Sequence, residues 1–385
     1  MTEWKTYRLG NVCKKVCSGG TPKSTEPSYY DGDIPWLNTK EINFNRIYST
    51  ERSITQKGLD NSSAKWIDAN CVIVAMYGAT AAKVAINKIP LTTNQACCNL
   101  SIDEKIADYH YVYYWLCANY TELASLANGG AQQNLNAQQI KDFEISLPSL
   151  EEQRRIARIL GAIDDKIENN RRINTNLELQ AQALFDEWFI SNISHLGTYS
   201  KAYLTDIANY LNGLAMQKFR PQSDEKGISV LKIKELGQGQ CDSSSDMCSP
   251  SIDPKYIVND GDIIFSWSGT LLVDIWCGGV CGLNQHLFKV TSDKYPKWFV
   301  YYWTKYHLAK FIRIAKDKAV TMGHIKRGDL ESSEVLIPNE TTLNKMDSVI
   351  APIFDAIISH RKENRTLATL RDTLLPKLMN GEIKM

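Results

Sequence analysis

The chain carries a long internal repeat, and this feature restricts its fold more than any other. Residues 145–178 align without a gap on residues 335–368, at a spacing of 190. In both copies a strand-like run ends at a proline, Pro148 or Pro338, and a segment with helical periodicity follows. Weaker similarity extends the repeat upstream, in the pairs 7–19 and 202–214, 36–42 and 230–236, and 73–80 and 264–271. The repeat predicts the order globule, helix, globule, helix.

Each globule is predicted to mix strands and helices. Short β-like runs are separated by clusters of Gly, Pro, Asn and Ser, and a helical stretch and a last short strand follow them. The fold class is therefore α+β, with two similar mixed domains held apart by two long antiparallel helices and related by a pseudo-twofold repeat. The predicted boundaries are 1–148 for the first domain, 149–192 for the first helix, 193–338 for the second domain and 339–385 for the second helix.

Both long helices have apolar residues at alternating spacings of four and three, which is typical of helices that pair. The predicted packing positions are Ile156, Leu160, Ile163, Ile167, Leu177 and Leu184 in the first helix and Ile350, Ile353, Ile357, Leu367 and Leu374 in the second. Polar residues interrupt both patterns, at Asn170 and Asn174 and at His360 and Asn364. We interpret these interruptions as residues that fix the register of the helix pair. The alternative is that each apolar stripe turns there to face its own globule.

The composition indicates a folded globular protein, with 43% hydrophobic residues and a formal net charge of +1. No apolar run reaches the roughly 18 residues needed to cross a bilayer, and the first residues lack the apolar segment of a secretory signal. A cytoplasmic location is expected. The ten cysteines lack the paired spacing of a zinc module, and the six histidines have no metal-ligand spacing. We therefore expect reduced thiols and no metal site.

Four segments resemble type I restriction–modification specificity subunits, and the resemblance covers nearly the whole chain. They are 147–189, 374–385, 18–42 and 230–239. The resemblance implies a DNA-binding subunit without a catalytic centre, in which each recognition domain reads one half of a split target in double-stranded DNA. The helices would set the gap between the halves and dock two adenine-N6 methyltransferase subunits. Restriction and translocase subunits would be further partners. S-adenosylmethionine, ATP and Mg would bind to the partners, and this chain would hold no cofactor.

Two motif searches agree with a non-catalytic role. A phosphate-binding G-x4-G-K-[ST] loop does not occur. The nearest match to the Asp/Asn-Pro-Pro-Tyr/Phe motif of adenine methyltransferases is Asp253-Pro254-Lys255-Tyr256, which has Lys at the second Pro position. Two alternatives stay open: a fused methyltransferase–specificity chain, and a coiled-coil scaffold whose globules bind proteins.

Candidate DNA-contacting residues lie in loops at matching places of the two globules. Asn and Gln suit adenine, Arg and Lys suit guanine, and hydroxyls and cations suit phosphates. The candidates in the first domain are Thr21, Lys23, Trp36, Asn38, Lys40, Tyr77, Thr80, Lys83, Gln132, Gln133 and Asn134. The candidates in the second are Lys218, Arg220, Lys232, Lys234, Trp267, Ser268, Thr270, His286, Lys318, Thr321, His324, Lys326 and Arg327.

Two features of these loops have structural alternatives. The amide-rich loop 129–136 is either a reader of bases or an ordinary solvated loop. An Asn-Gln pair recurs at Asn94-Gln95 and Asn284-Gln285, and it either contacts DNA or holds a buried turn. The globules differ more from each other than the helices do, so the two half-sites are expected to differ in sequence.

Overall fold

The computed structural model describes residues 4–127, 134–193, 197–317 and 324–383. The chain divides into two compact units. The first unit contains Met1–Asp165 and Ala368–Met385, and the second contains Lys166–Leu367. Each long helix therefore contributes one part to each unit, whereas the boundaries predicted from the sequence treat each helix as a separate block. Within the described ranges, none of the helices has a stretch long and apolar enough to cross a membrane.

The described strands of the first unit form three sheets. The strands are β1 Lys5–Arg8, β2 Cys13–Ser18, β3 Tyr30–Leu37, β4 Asn45–Ile47, β5 Arg52–Ile54, β6 Trp66–Ile67, β7 Val72–Ala75, β8 Val84–Asn87, β9 Leu91–Thr93, β10 Cys97–Ile102 and β11 Glu144–Leu147. Their orders are β1-β11, β2-β10-β7-β8-β4 and β5-β3-β9-β6. The short helices are α1 Gln56–Asp60, α2 Tyr109–Ala118, α3 Tyr120–Ser125 and α4 Ala137–Asp142.

The described strands of the second unit repeat this plan. They are β12 Tyr199–Tyr203, β13 Asn209–Asn212, β14 Ile228–Leu231, β15 Met247–Cys248, β16 Ile257–Val258, β17 Ile263–Ser266, β18 Leu272–Ile275, β19 Cys281–Leu283, β20 Leu287–Thr291 and β21 Glu334–Pro338. The helices other than the two long ones are α6 Leu204–Ile207, α7 Ile233–Gln238, α8 Lys297–Asp317 and α9 Arg327–Glu331. The sheet orders are β12-β21, β13-β20-β17-β18 and β15-β14-β19-β16.

The two units share one topology, strand for strand, apart from the additional edge strand β4 of the first. The parallel pair β3–β9, in which Leu37 faces Thr93, corresponds to the parallel pair β14–β19, in which Leu231 faces Leu283. The strands β2, β10, β7 and β8 correspond in the same way to β13, β20, β17 and β18. The internal repeat predicted from the sequence is confirmed at the level of strand pairing.

The two long helices are α5 Leu150–Asp186 and α10 Glu340–Met379, and a π-helical turn, Glu187–Ser191, continues α5. Ser149 precedes α5, and the backbone N–H of Glu152 donates to its hydroxyl at 3.3 Å, which caps the start of the helix. In the first unit, Ile156 of α5 and Leu378 of α10 belong to one apolar core. In the second unit, Phe185 of α5 and Ile350 of α10 belong to another.

The apolar seam of α5 follows the prediction at its start and departs from it further along. Ile156, Leu160 and Ile167 are buried, but near the end Phe185 is completely buried while the predicted Leu184 is only half-buried. A straight α-helix drifts by about 20° per heptad against a strict 3.5-residue repeat. The buried stripe therefore moves to a spacing of four residues, at Ala181, Phe185 and Phe189. Ile163, Leu177, Ile353, Leu367 and Leu374 are likewise half-buried, whereas Ile350 and Ile357 are buried.

The polar residues that interrupt the two seams bond to each other inside the second unit. The amide of Asn170 donates to Asn364 Oδ1 at 3.0 Å. The amide of Asn174 donates to the carbonyl of Ile357 at 3.1 Å, and His360 Nδ1 lies 2.8 Å from Asn174 Oδ1. Residue numbers rise along α5 as they fall along α10, so the helices are antiparallel in this unit. These bonds agree with the register interpretation of the interruptions.

An ion pair accommodates Arg371, the residue that fits the apolar seam of α10 least well. In the first unit its guanidinium lies 2.9 Å from Asp164 Oδ1 on α5. The hydroxyl of Tyr114 on α2 donates to the other carboxylate oxygen of Asp164 at 2.6 Å. The Asp164 side chain is only 13% exposed, so both of its oxygens have partners away from bulk water.

Candidate nucleic-acid interface

The tight turn at Asn94-Gln95 in the first unit exposes the glutamine side chain to solvent. Gly19 packs so closely on Thr93 that a Cβ at Gly19 would lie 2.1 Å from the Thr93 carbonyl oxygen. Asn94 is buried, and its Oδ1 accepts a hydrogen bond from the backbone N–H of Ala96 at 3.1 Å. Gln95 is exposed and hydrogen-bonds Thr21. Asn94 therefore shapes the turn, and Gln95 is the member of the pair that solvent can reach.

The second unit repeats this turn. A Cβ at Gly213 would lie 2.3 Å from the Asn284 carbonyl oxygen. Asn284 is buried, and its Oδ1 accepts from the backbone N–H of His286 at 3.2 Å. Gln285 and His286 are half-buried beside it. The structural interpretation of the Asn-Gln pair thus holds for the asparagine, whereas the glutamine of each pair reaches solvent and keeps the DNA-contact interpretation open.

Two predicted loops of the first unit meet at Tyr77 and Asn134. These residues form an isolated antiparallel bridge, and the backbone N–H of Leu135 donates to the Met76 carbonyl at 2.8 Å. The Tyr77 side chain is 43% exposed. The predicted Gln132 and Gln133 lie outside the described residues. The fold therefore brings together two residues that the sequence analysis proposed separately as DNA contacts, although they are far apart in the chain.

The corresponding loops of the second unit meet at Ser268 and His324. They form the equivalent bridge, and the backbone N–H of Ile325 donates to the Trp267 carbonyl at 3.2 Å. Ser268 Oγ lies 3.0 Å from His286 Nδ1, and the half-buried Trp267 ring contacts both His286 and His324. Four predicted site residues thus form one cluster. The predicted Lys318 and Thr321 lie outside the described residues.

Four predicted residues of the second unit line one open cleft of about 480 Å³: Arg220, Lys232, Lys234 and His286. Gln217 and Gln285 line it as well. Lys232 forms an ion pair with Asp246 and thereby lowers the pKa of that carboxyl. The Lys234 ammonium donates to Ser244 Oγ at 2.7 Å. The cleft combines cations with amide and imidazole groups, which are the side chains that contact phosphates and base edges.

Trp36 is a core residue, which corrects its prediction as a DNA-contacting side chain. It is 3% exposed, and its ring N–H donates to the Gly20 carbonyl at 2.9 Å. Asn38 caps the short helical turn that follows, because its backbone N–H donates to Glu41 Oε1 at 3.0 Å and its side chain accepts from Lys40. The ring of Trp36 and the side chain of Asn38 therefore position the loop, and the neighbouring Lys40 is exposed.

The remaining predicted residues are cations and hydroxyls at or near the surface. Thr21, Lys23, Lys218, Thr270, Lys326 and Arg327 are exposed, and Thr80 and Lys83 are half-buried. The Lys83 ammonium donates to Asn43 Oδ1 at 2.8 Å. Arg327 forms an ion pair with Glu331 one helical turn away, at 3.3 Å.

Neither a disulfide nor a cluster of metal ligands occurs in the part of the chain that the structure describes. All ten cysteines are free. No group of three or more His, Cys, Asp or Glu residues within those ranges is placed to hold a metal ion. Burial raises the pKa of the Cys13 and Cys98 thiols to about 12. Such thiols are protonated at neutral pH and are poor nucleophiles.

Comparison with known proteins finds relatives of one kind. The sequence model described as "Type I restriction modification DNA specificity domain" matches residues 1–179. The type I restriction enzyme MjaIX specificity subunit of Methanocaldococcus jannaschii is 29% identical over 423 residues, covering 100% of this chain and 97% of the relative. The EcoR124I/EcoR124II specificity subunit of Escherichia coli is 30% identical over 168 residues, covering 42% of this chain and 41% of the relative.

A solved structure has the same fold. It is the crystal structure of the S subunit of a type I restriction–modification system from M. genitalium, with a TM-score of 0.63 at 17% identity, covering 98% of this chain and 96% of that one. The sequence matches identify relatives of one kind, and the structural match extends over both units. The chain is thus similar to type I restriction–modification specificity subunits in sequence and in fold.

Proposed function

We propose that this chain is the DNA-recognition subunit of a type I restriction–modification complex and that each unit reads one half of a bipartite target. The observation that carries the proposal is the recurrence of one loop arrangement in both units, with different side chains at matching positions. The bridge Tyr77–Asn134 corresponds to Ser268–His324. Equivalent frames with unlike donors and acceptors are suited to two half-sites of different sequence.

The cleft of the second unit supports the proposal through its chemistry. It places Arg220 and Lys234 beside Gln285 and His286. Lysine and arginine supply the charge that a phosphate backbone attracts, and glutamine and arginine can form paired hydrogen bonds to base edges. The net charge of +1 provides no general attraction to DNA, so recognition depends on such local clusters.

The proposal assigns catalysis to partner proteins. Two methyltransferase subunits dock on the long helices, and restriction and translocase subunits complete the complex. S-adenosylmethionine, ATP and Mg belong to these partners. Each long helix has an exposed leucine that a docked subunit would cover, Leu179 of α5 at 64% and Leu370 of α10 at 46% exposed.

Mapping N6-methyladenine in cells that carry variants of this chain tests the proposal. Arg220→Ala with Lys234→Ala in the second unit should relax one half of the methylated sequence and leave the other half intact. Lys23→Ala with Lys40→Ala in the first unit should do the reverse. A lost base contact costs about 1–3 kcal/mol of discrimination. The exposed Lys105 serves as a control, because Lys105→Ala should leave both halves unchanged.

Two results would contradict the proposal. The first is an unchanged methylated sequence in both double variants, which would exclude these loops as readers. The second is an assembled complex whose DNA binding does not depend on salt, because neutralised phosphates make affinity fall steeply as salt rises. The second result would instead favour a scaffold whose globules bind proteins.

A further inference from the structure

A second basic surface lies on the first unit, separate from the loops considered so far. It is an open cleft of about 450 Å³, which we call the β2–α4 cleft. Its charged and amide side chains are Arg8, Asn11, Lys14, Lys15, Gln138, Lys141 and Asp142. The cleft therefore gathers four cations around one carboxylate.

The one carboxylate of the β2–α4 cleft is already engaged. Arg8 lies 3.1 Å from Asp142 Oδ1, and the Gln138 amide donates to Asp142 Oδ2 at 2.8 Å. Lys14, Lys15 and Lys141 form no ion pair with any residue that the structure describes. Lys14 and Lys15 are exposed, and Lys141 is half-buried against Gly10. Three uncompensated ammonium groups in one concave site favour a polyanion over a neutral ligand.

Both elements that line the cleft lead into the proposed interface. Strand β2 ends at Ser18, directly before the Gly19–Lys23 loop, so Lys15 is four residues from Gly19, or about 13 Å along an extended strand. Helix α4 starts after Asn136, two residues beyond the bridge residue Asn134. A DNA backbone that leaves the loops along β2 passes the lysines within about four base pairs, at about 3.4 Å per base pair.

The second unit lacks these cations at the corresponding places. Asn209 of β13 stands at the position of Lys15 of β2. Lys15 pairs with Ser101 in the β2–β10 ladder, and Asn209 pairs with Thr291 in the corresponding β13–β20 ladder. In the repeat at a spacing of 190, Glu331 stands where the first unit has Lys141. The feature therefore belongs to one unit and is not a general property of the shared fold.

We infer that the β2–α4 cleft binds the phosphate backbone of the DNA flanking the half-site that the first unit reads, and that the second unit makes no equivalent contact. This inference rests on the proposed function. Each phosphate that a lysine neutralises contributes about 0.9 to the slope of log affinity against log salt concentration. The contact adds affinity and no sequence preference, because phosphates carry no base information.

The test compares two charge-matched double variants in the full chain, assembled with its methyltransferase subunits. Lys14→Gln with Lys15→Gln removes two cations from the cleft, and Lys57→Gln with Lys105→Gln removes two exposed cations elsewhere on the same unit. We expect the cleft variant to lower the salt slope by about 1.8, from two contacts at about 0.9 each. We expect no change in the methylated sequence and no change of slope in the control. In the cleft variant, phosphate-ethylation interference should disappear only in the DNA that flanks the half-site read by the first unit.

Each other outcome has a definite meaning. An unchanged slope in the cleft variant overturns the inference, as does interference that persists at the same phosphates. Loss of a methyltransferase subunit from the cleft variant, with a normal slope after reconstitution, would make the cleft a protein-binding site and also overturn it. A wild-type complex without sequence-specific DNA binding would refute the proposed function itself, and the comparison separates that failure from the others.

Discussion

Substitution of Asn174 tests what the polar bonds between the long helices contribute. Asn174 is 6% exposed and makes two hydrogen bonds, to the Ile357 carbonyl at 3.1 Å and to His360 Nδ1 at 2.8 Å. Each is worth about 1 kcal/mol net, so Asn174→Ala should lower the free energy of unfolding of the second unit by about 2 kcal/mol. Asn174→Leu loses the same bonds but buries about 1.5–3 kcal/mol of apolar side chain. It should therefore stay within about 1 kcal/mol of the wild type.

Calorimetry of the full chain measures both variants. For a unit of this size, 1 kcal/mol shifts the midpoint by roughly 2–4 °C, so the alanine variant should melt about 4–8 °C lower. The exposed Asn176 on the same helix is the matched control, and Asn176→Ala should change stability by less than about 1 kcal/mol. If Asn174→Leu is as destabilised as Asn174→Ala, the reasoning is refuted, because apolar burial then fails to offset the lost bonds.

Three further predictions concern ionisable groups. Arg371→Gln leaves the Asp164 carboxylate without its cation and should destabilise the first unit by about 2–3 kcal/mol in urea unfolding, and Asp164→Asn in the same chain should recover most of that loss. Burial lowers the pKa of His110 to about 4, so between about pH 6.5 and pH 4 the imidazole is protonated in the unfolded chain and neutral in the folded one. The free energy of unfolding should therefore fall as pH drops through this range, and His110→Gln should flatten this pH dependence. At pH 8, iodoacetamide should label Cys241 faster than Cys13, as followed by peptide mass spectrometry. A hydrogen bond from the Cys281 thiol lowers the pKa of Cys241, whereas burial raises the pKa of Cys13 to about 12. Equal labelling rates would count against this explanation.

The sequence was most informative where a pattern occurs twice. The repeat predicted two units with one topology, and the paired interruptions predicted residues that fix the register of the helices, where Asn170 and Asn174 bond to Asn364 and His360. Tyr77 and Asn134, which were both proposed as DNA contacts, also meet in one bridge. In each case two segments far apart in the chain give independent evidence for the same position in the fold. A prediction from one sequence without relatives then has a second signal to support it.

The errors arose where burial depends on contacts that the sequence does not display. Trp36 stands between polar loops, but the alternation of strand β3 points its ring inward, against Gly20. Phe185 replaced Leu184 as the buried residue because heptad counting ignores the drift of a straight helix. The β2–α4 cleft was not predicted, since its cations come from separated segments with no shared motif.

The first unit is built from two segments that are far apart in the chain, and this affects how it folds during synthesis. Its core includes Leu378 and Met379 of α10 together with Ile156 and Leu160 of α5. The segment Ala368–Met385 that completes the unit emerges about 200 residues after Asp165. At roughly 5–20 residues per second, the ribosome needs about 10–40 s to make the intervening chain. During that interval the apolar surface that Leu378 and Met379 cover in the folded first unit stays exposed to solvent. The nascent chain is therefore open to aggregation and proteolysis until the segment Ala368–Met385 packs onto it.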